Sequence, residues 1–203
     1  MSAVLKQLAA QRVVPVLRNV DADDALRTAR ACARAGAAVI ELTCSTPGVE
    51  GVLRQLQADG LTVGLGTITE ADEVVGAAAA GASFVVSFGH PPGFLPAADR
   101  CGVVPIPGVL TPTEALSATA AGAPAVKLFP ARGLHPDYLR DLRTVMPDLQ
   151  VMVTGGVTVA TAAQWLESGA LVVGIGAELG SAASDGEDVV EHRTREALQR
   201  FTG

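Results

Sequence analysis

Aromatic side chains are scarce in this chain, at 3% of 203 residues, with one Trp and one Tyr. Apolar residues nonetheless reach 49%, so a core has to be assembled from Val, Leu, Ile and Ala. That palette suits helices packed on parallel strands. Basic clusters are missing too, and the net charge is −6, which argues against a nucleic-acid partner. The three cysteines (Cys32, Cys44, Cys101) are an odd set without CxxC spacing. They read as reduced thiols and exclude a disulfide framework or a zinc site. His90, His135 and His192 form no HxH or HxxxH pair, so no metal is expected.

The amino-terminal stretch "MSAVLKQLAAQRVVPVLR" lacks a basic segment followed by a long apolar one, so no signal peptide is expected. Val74 to Ala98 carries no Asp, Glu, Lys or Arg, but Gly76, Gly81, Pro91, Pro92 and Gly93 break it as a membrane span. A cytoplasmic protein without a membrane partner is the expectation.

Glycine supplies a rhythm. Gly36, Gly60, Gly81, Gly102, Gly122 and Gly169 each precede an apolar run, at intervals of 24, 21, 21, 20 and 47 residues. The last interval is a double step with "DLQVMVTGG" in its middle, and "VVPVL" at 13–17 opens the series. Eight strand-length runs therefore alternate with helical segments, expected over 22–35, 47–58, 69–80, 92–100, 111–121, 135–145, 160–168 and 187–201. Glycine is the natural helix stop, and Asp21, Thr69 and Thr111 stand where N-caps belong. Trp165 and Tyr138 fall in helical segments and are expected to pack outside the sheet. A supersecondary period in the low twenties, repeated eight times, predicts an α/β fold of the (β/α)8 TIM-barrel type. It forms a single domain over 1–203, with a short N-terminal helix. A doubly wound open sheet is the alternative, but no GxGxxG follows the first run.

Lysine is nearly absent. Of 15 Lys plus Arg, only Lys6 and Lys127 are lysines, and Lys127 lies inside the apolar run "AVKLFPA". Glu41, in "VIELT", is the other charge alone in an apolar run. Runs two and six lie opposite each other in an eight-stranded ring, so both side chains can enter one cavity. A structural ion pair is one reading, but buried pairs are poor stability devices. An amine that can lose its proton and attack a carbonyl, beside a proton-shuttling carboxylate, is the functional one.

Barrel chemistry sits at the carboxyl ends of strands. There the sequence writes Arg18, Thr67, the Ser87-Phe88-Gly89 turn, Thr154-Gly155-Gly156 and Gly174-Ile175-Gly176. The glycine turns of units seven and eight are where barrels hold phosphate on backbone N–H groups. Cys44 reads as a small loop residue.

With these residues placed, the chain resembles the KHG/KDPG aldolase family along nearly its whole length. The matching stretches are "VVPVLR", "VIELT", "VGLGTI", "PGVLTPTEA", "VKLFPA" and "VTGGV". The resemblance implies Lys127 as Schiff-base lysine and Glu41 as acid/base. It also implies Thr67 beside the pyruvyl part and a phosphate cradle at Gly155, Gly156 and Gly176. It further implies no cofactor, a phosphorylated keto acid as substrate, and a homotrimer. Ser45 stands where gluconate-type members carry a carboxylate-gripping Arg, a feature the galactonate-type members also lack, and Arg18 is the expected substitute. Phe88 replaces a common Pro, and Ala177 a common Ser. Two other classes stay open: a phosphate-binding barrel enzyme that uses Lys127 only as a cation, and a non-catalytic sensor of a phosphorylated sugar.

Overall fold

The computed structural model describes residues 1–201. The last two residues of the single domain expected over 1–203 lie outside the described ones. Strands and helices alternate after a first helix: α1 (Ala3–Gln11), β1 (Val13–Leu17), α2 (Ala22–Arg34), β2 (Val39–Thr43), α3 (Val49–Ala58) and β3 (Thr62–Gly66). Then come α4 (Ala71–Ala79), β4 (Phe84–Val86), α5 (Phe94–Cys101), β5 (Val104–Ile106), β6 (Gly108–Val109) and α6 (Pro112–Ala120). The chain ends with β7 (Val126–Leu128), α7 (Pro136–Val145), β8 (Val151–Val153), α8 (Val159–Glu167), β9 (Val172–Ile175) and α9 (Glu187–Gln199). All pairings are parallel, in the order β5-β4-β3-β2-β1-β9-β8-β7-β6.

Among the described residues nine strands appear where eight runs were expected. The extra one comes from the fifth run, "VVPIPG", which Pro107 interrupts between β5 and β6 because proline has no N–H for the ladder. Its first half pairs with β4 and its second with β7, while the Pro107 carbonyl still accepts from Lys127 N at 2.8 Å. The two ends of the sheet are therefore joined through Pro107 itself, and the barrel closes.

The six rhythm glycines all have positive φ, from 69° to 106°, which is the αL stop the spacing implied. Asp21 caps α2, and Thr111 caps α6 in a reciprocal box with Glu114. Thr69 does not cap α4. Glu70 does, one residue later, and Thr69 instead donates from N and Oγ1 to Glu73 Oε2 at 2.6 and 3.1 Å. Trp165 is buried between α8 and the sheet, and the Tyr138 hydroxyl donates to the Leu110 carbonyl at 2.6 Å. Among the described residues no helix is long and apolar enough to cross a membrane.

Two cores result. One fills the shell between helices and sheet, and the other fills the barrel interior. Helix α1 plugs the amino-terminal end of the barrel: Leu5 and Leu8 pack there on Val14, Val39, Phe84 and Met152. Gln11 seals the same end. Its Oε1 accepts from Ala38 and Val39 N–H, and its Nε2 donates to the Val13 and Val39 carbonyls, all within 2.9 Å. With the bottom filled by side chains, only the carboxyl-terminal mouth is left for chemistry.

Candidate active site

Glu41 is the third residue of β2 and Lys127 the second of β7, both pointing inward. Strand period two explains the orientation: Val39 and Glu41 face the interior while Ile40 and Leu42 face the helices. The two side chains meet across the barrel, with Lys127 Nζ 3.4 Å from Glu41 Oε1. Glu41 is fully buried and Lys127 is 6% exposed. The Lys127 ammonium also stands 5.5 Å from the centre of the Phe129 ring, close enough for a cation–π contact.

Room for Glu41 comes from its neighbour strand. A Cβ on Gly66 of β3 would overlap Glu41 Oε1, and one on Gly64 would overlap the Phe84 ring. Glycines two apart on one inward face are what the "VGLGT" run contributes.

The pair opens onto a cavity of about 560 Å³, lined by Arg18, Thr67, Thr154, Gly155, Gly156 and Gly176 among others. Arg18 donates from its two terminal nitrogens to Ser45 Oγ (2.9 Å) and Thr67 Oγ1 (3.2 Å). Thr67 holds this position with a φ of 66°, an outlier for a β-branched residue. Gly155 and Gly156 have φ of 88° and 92°, so the turn they make suits glycine. Gly176 passes close to β1: a Cβ there would sit 2.8 Å from the Val16 carbonyl oxygen. Three buried polar atoms of lining residues, Asn19 Oδ1, Glu41 Oε2 and Thr154 Oγ1, have no hydrogen-bond partner among the described residues. Such atoms are costly to leave unpaired, and they gather where a substrate supplies the partner.

Two of the expected site residues stand off the cavity wall. Ser45 touches the site through Arg18 and through the Thr43 hydroxyl, 3.1 Å from its own. Phe88 is 48% exposed, because its chain turns outward over Gly108, and its ring leans on Phe129 at 6.4 Å. Phe129, Thr43, Asn19, Arg132 and Glu178 are among the lining residues that escaped the sequence reading. Phe129 had a signal, lying two residues past Lys127 on the same strand face. Asn19 had none, since its place depends on distant contacts: Nδ2 donates to Asp24 Oδ2 and Thr28 Oγ1 at 2.7 and 3.1 Å. Burial raises the Asp24 carboxyl, but hydrogen bonds from Asn19, the Ala183 amide and Thr28 outweigh it and hold the group below its usual range.

Cys32 and Cys44 are poor nucleophiles. Burial pushes the Cys32 thiol to about 11, and burial with the nearby Glu73 carboxylate pushes Cys44 to about 12. Among the described residues no group of three or more His, Cys, Asp or Glu side chains is placed to hold a metal ion.

A family model for KDPG and KHG aldolase matches residues 4–192. The 2-dehydro-3-deoxy-6-phosphogalactonate aldolase of Escherichia coli K12 is 30% identical over 197 residues, covering 92% of this chain and 96% of the relative. The 2-dehydro-3-deoxy-phosphogluconate aldolase of Pseudomonas aeruginosa is 33% identical, covering 94% and 89%. Among solved structures, KDPG aldolase from Legionella pneumophila superposes with a TM-score of 0.87 at 25% identity, over 97% of this chain and 98% of that one. It holds pyruvate captured at low pH as a covalent carbinolamine intermediate. This chain belongs to the KDPG and KHG aldolase family.

Proposed function

We propose that this family member is a class I pyruvate aldolase with Lys127 as its Schiff-base nucleophile. It cleaves 2-keto-3-deoxy-6-phosphogluconate-type substrates to pyruvate and glyceraldehyde 3-phosphate, and 4-hydroxy-2-oxoglutarate to pyruvate and glyoxylate. The observation that carries this reading is the buried Lys127–Glu41 pair at 3.4 Å, on a cavity that also contains the Gly155–Gly156 turn. The carbinolamine trapped in the Legionella relative supports it, since that adduct needs an amine and the C2 ketone.

The Lys127 amine attacks the C2 ketone of the keto acid, and the carbinolamine loses water to give an iminium. Glu41 takes the proton of the C4 hydroxyl. The C3–C4 bond then breaks, its electron pair moves into the iminium, and the aldehyde departs. Protonation of the resulting enamine at C3 and hydrolysis release pyruvate and restore the amine. The iminium supplies the polarisation a Lewis acid would, so the cycle calls for no cofactor. Arg18, steadied by Ser45 and Thr67, offers a fork suited to the substrate carboxylate. Backbone N–H groups of Gly155, Gly156 and Gly176 receive the phosphate.

The C4 epimer, 2-keto-3-deoxy-6-phosphogalactonate, is a second reading. Ser45 stands four residues after Glu41, and the guanidinium comes from β1 instead, as in the galactonate-type pattern. By extension from the family, the enzyme is read as a cytoplasmic homotrimer serving sugar-acid breakdown of the Entner–Doudoroff kind. Light scattering tests the assembly. Borohydride reduction with pyruvate, read by mass spectrometry, tests the chemistry: an adduct on Lys127 is expected, and its absence would sink the Schiff-base mechanism.

A further inference from the structure

Three cations reach the cavity, and they differ in their partners. Lys127 is engaged by Glu41, and Arg18 by Ser45 and Thr67. Arg132 is exposed, and its guanidinium makes no hydrogen bond or ion pair among the described residues. Its backbone is fixed nonetheless. The Ala131 and Arg132 N–H groups donate to the Thr154 and Gly155 carbonyls at 2.9 and 2.6 Å, which extends the β7–β8 ladder beyond both strands. The side chain then lies across the double-glycine turn: a Cβ built on Gly156 would sit 2.9 Å from Arg132 Cβ and 3.3 Å from its Nε.

The turn beneath is less generous to an anion than a bare helix start. Thr158 N donates to Thr161 Oγ1 at 3.0 Å, and Thr161 N donates to Thr158 Oγ1 at 3.2 Å. Val159 N is taken by Glu178 Oε2 at 2.7 Å, so a carboxylate already occupies the first turn of α8. That negative charge lies on the wall of the same cavity, where it opposes an arriving phosphate. Ala177 brings no hydroxyl to offset it. A phosphate held by glycine amides alone would meet Glu178 with no cation in answer.

We propose that Arg132 is the cationic arm of the phosphate end of this site, its guanidinium closing over the Gly155–Gly156 turn onto a phosphate monoester. The assignment rests on the aldolase reading above and deepens it: the chain selects phosphorylated keto acids through a side chain as well as through backbone. A guanidinium suits the task better than an ammonium, because two parallel N–H donors match two phosphate oxygens. The free side chain and fixed backbone are what such an arm needs, since it reaches a variable ligand from a rigid base.

Inorganic phosphate is the probe. Calorimetric titration of wild type, Arg132→Lys and Arg132→Ala is expected to show affinity falling about 10- to 100-fold in the Ala variant, with Lys intermediate. The ratio of kcat/KM for 2-keto-3-deoxy-6-phosphogluconate over 4-hydroxy-2-oxoglutarate is expected to fall by a similar factor. Equal phosphate affinity in wild type and Arg132→Ala overturns the proposal, as does an equal loss on both substrates. Failure of the aldolase reading shows separately, as absence of the pyruvate–borohydride adduct in wild type. Arg132 is exposed, so its truncation leaves the core untouched.

Discussion

Gly66 and Glu41 compete for one volume: the Cβ that Gly66 lacks would overlap Glu41 Oε1. The glycine on β3 is therefore part of how the carboxylate on β2 comes to face Lys127. Gly66→Ala is expected to push Glu41 off its position and slow cleavage by roughly 100-fold or more, as loss of a general acid–base group does. Pyruvate trapping by borohydride should persist, because Lys127 itself is not displaced by that methyl. A Gly66→Ala enzyme with normal turnover would show that Glu41 needs no such placement.

Lys127→Arg keeps a positive charge but stays protonated at any working pH and forms no iminium. Cleavage and borohydride trapping are both expected to vanish, while circular dichroism keeps the wild-type shape. Turnover near the wild-type level in this variant would hand the site to the cation-only mechanism.

Glu41→Gln preserves shape and removes the base. Cleavage should slow by roughly 100- to 10,000-fold while pyruvate imine is still trapped. If the rate is unchanged, Glu41 serves only as the counter-ion of Lys127.

Prolonged EDTA treatment is expected to leave activity intact, because the iminium carries the polarising role. Loss of activity that returns with magnesium, manganese or zinc would place the enzyme in the metal-dependent class of pyruvate aldolases.

Much of this was legible because the barrel repeats. Glycine spacing marked six of the eight runs, and the double step and the opening "VVPVL" supplied the other two. A lone charge in each of two apolar runs picked out Glu41 and Lys127. The misses share a cause. Gln11 and Asn19 act through partners set by packing, the Val39 backbone and the Asp24 carboxyl, and Arg132 is placed by the bond from its N–H to the Gly155 carbonyl. Nothing local in the sequence points to those partners. The Pro107 break was visible as "PIPG", yet its consequence, two half-strands serving different neighbours, depends on ladder geometry. Phe88 was expected at the site because it follows a strand-end serine. Strand direction alone does not reveal that the chain then turns outward.

Thr67 gives the last test, because there stability and activity should move in opposite directions. Its φ of 66° strains a β-branched residue, and such strain costs roughly 1–2 kcal/mol. Glycine adopts that conformation freely, although its looser unfolded chain takes back roughly 0.5–1 kcal/mol. Thr67→Gly is therefore expected to raise Tm by on the order of 2 °C in a domain of this size. The same change removes the hydroxyl that receives Arg18 at 3.2 Å, leaving the guanidinium anchored by Ser45 alone. A fork held at one point presents its donors to a carboxylate less often, so kcat/KM should drop by about tenfold for phosphorylated and unphosphorylated keto acids alike. Thermal melts and initial rates on the one variant decide the matter. A lower Tm with unchanged rates would mean that Thr67 is held in its strained conformation for the fold and not for the substrate.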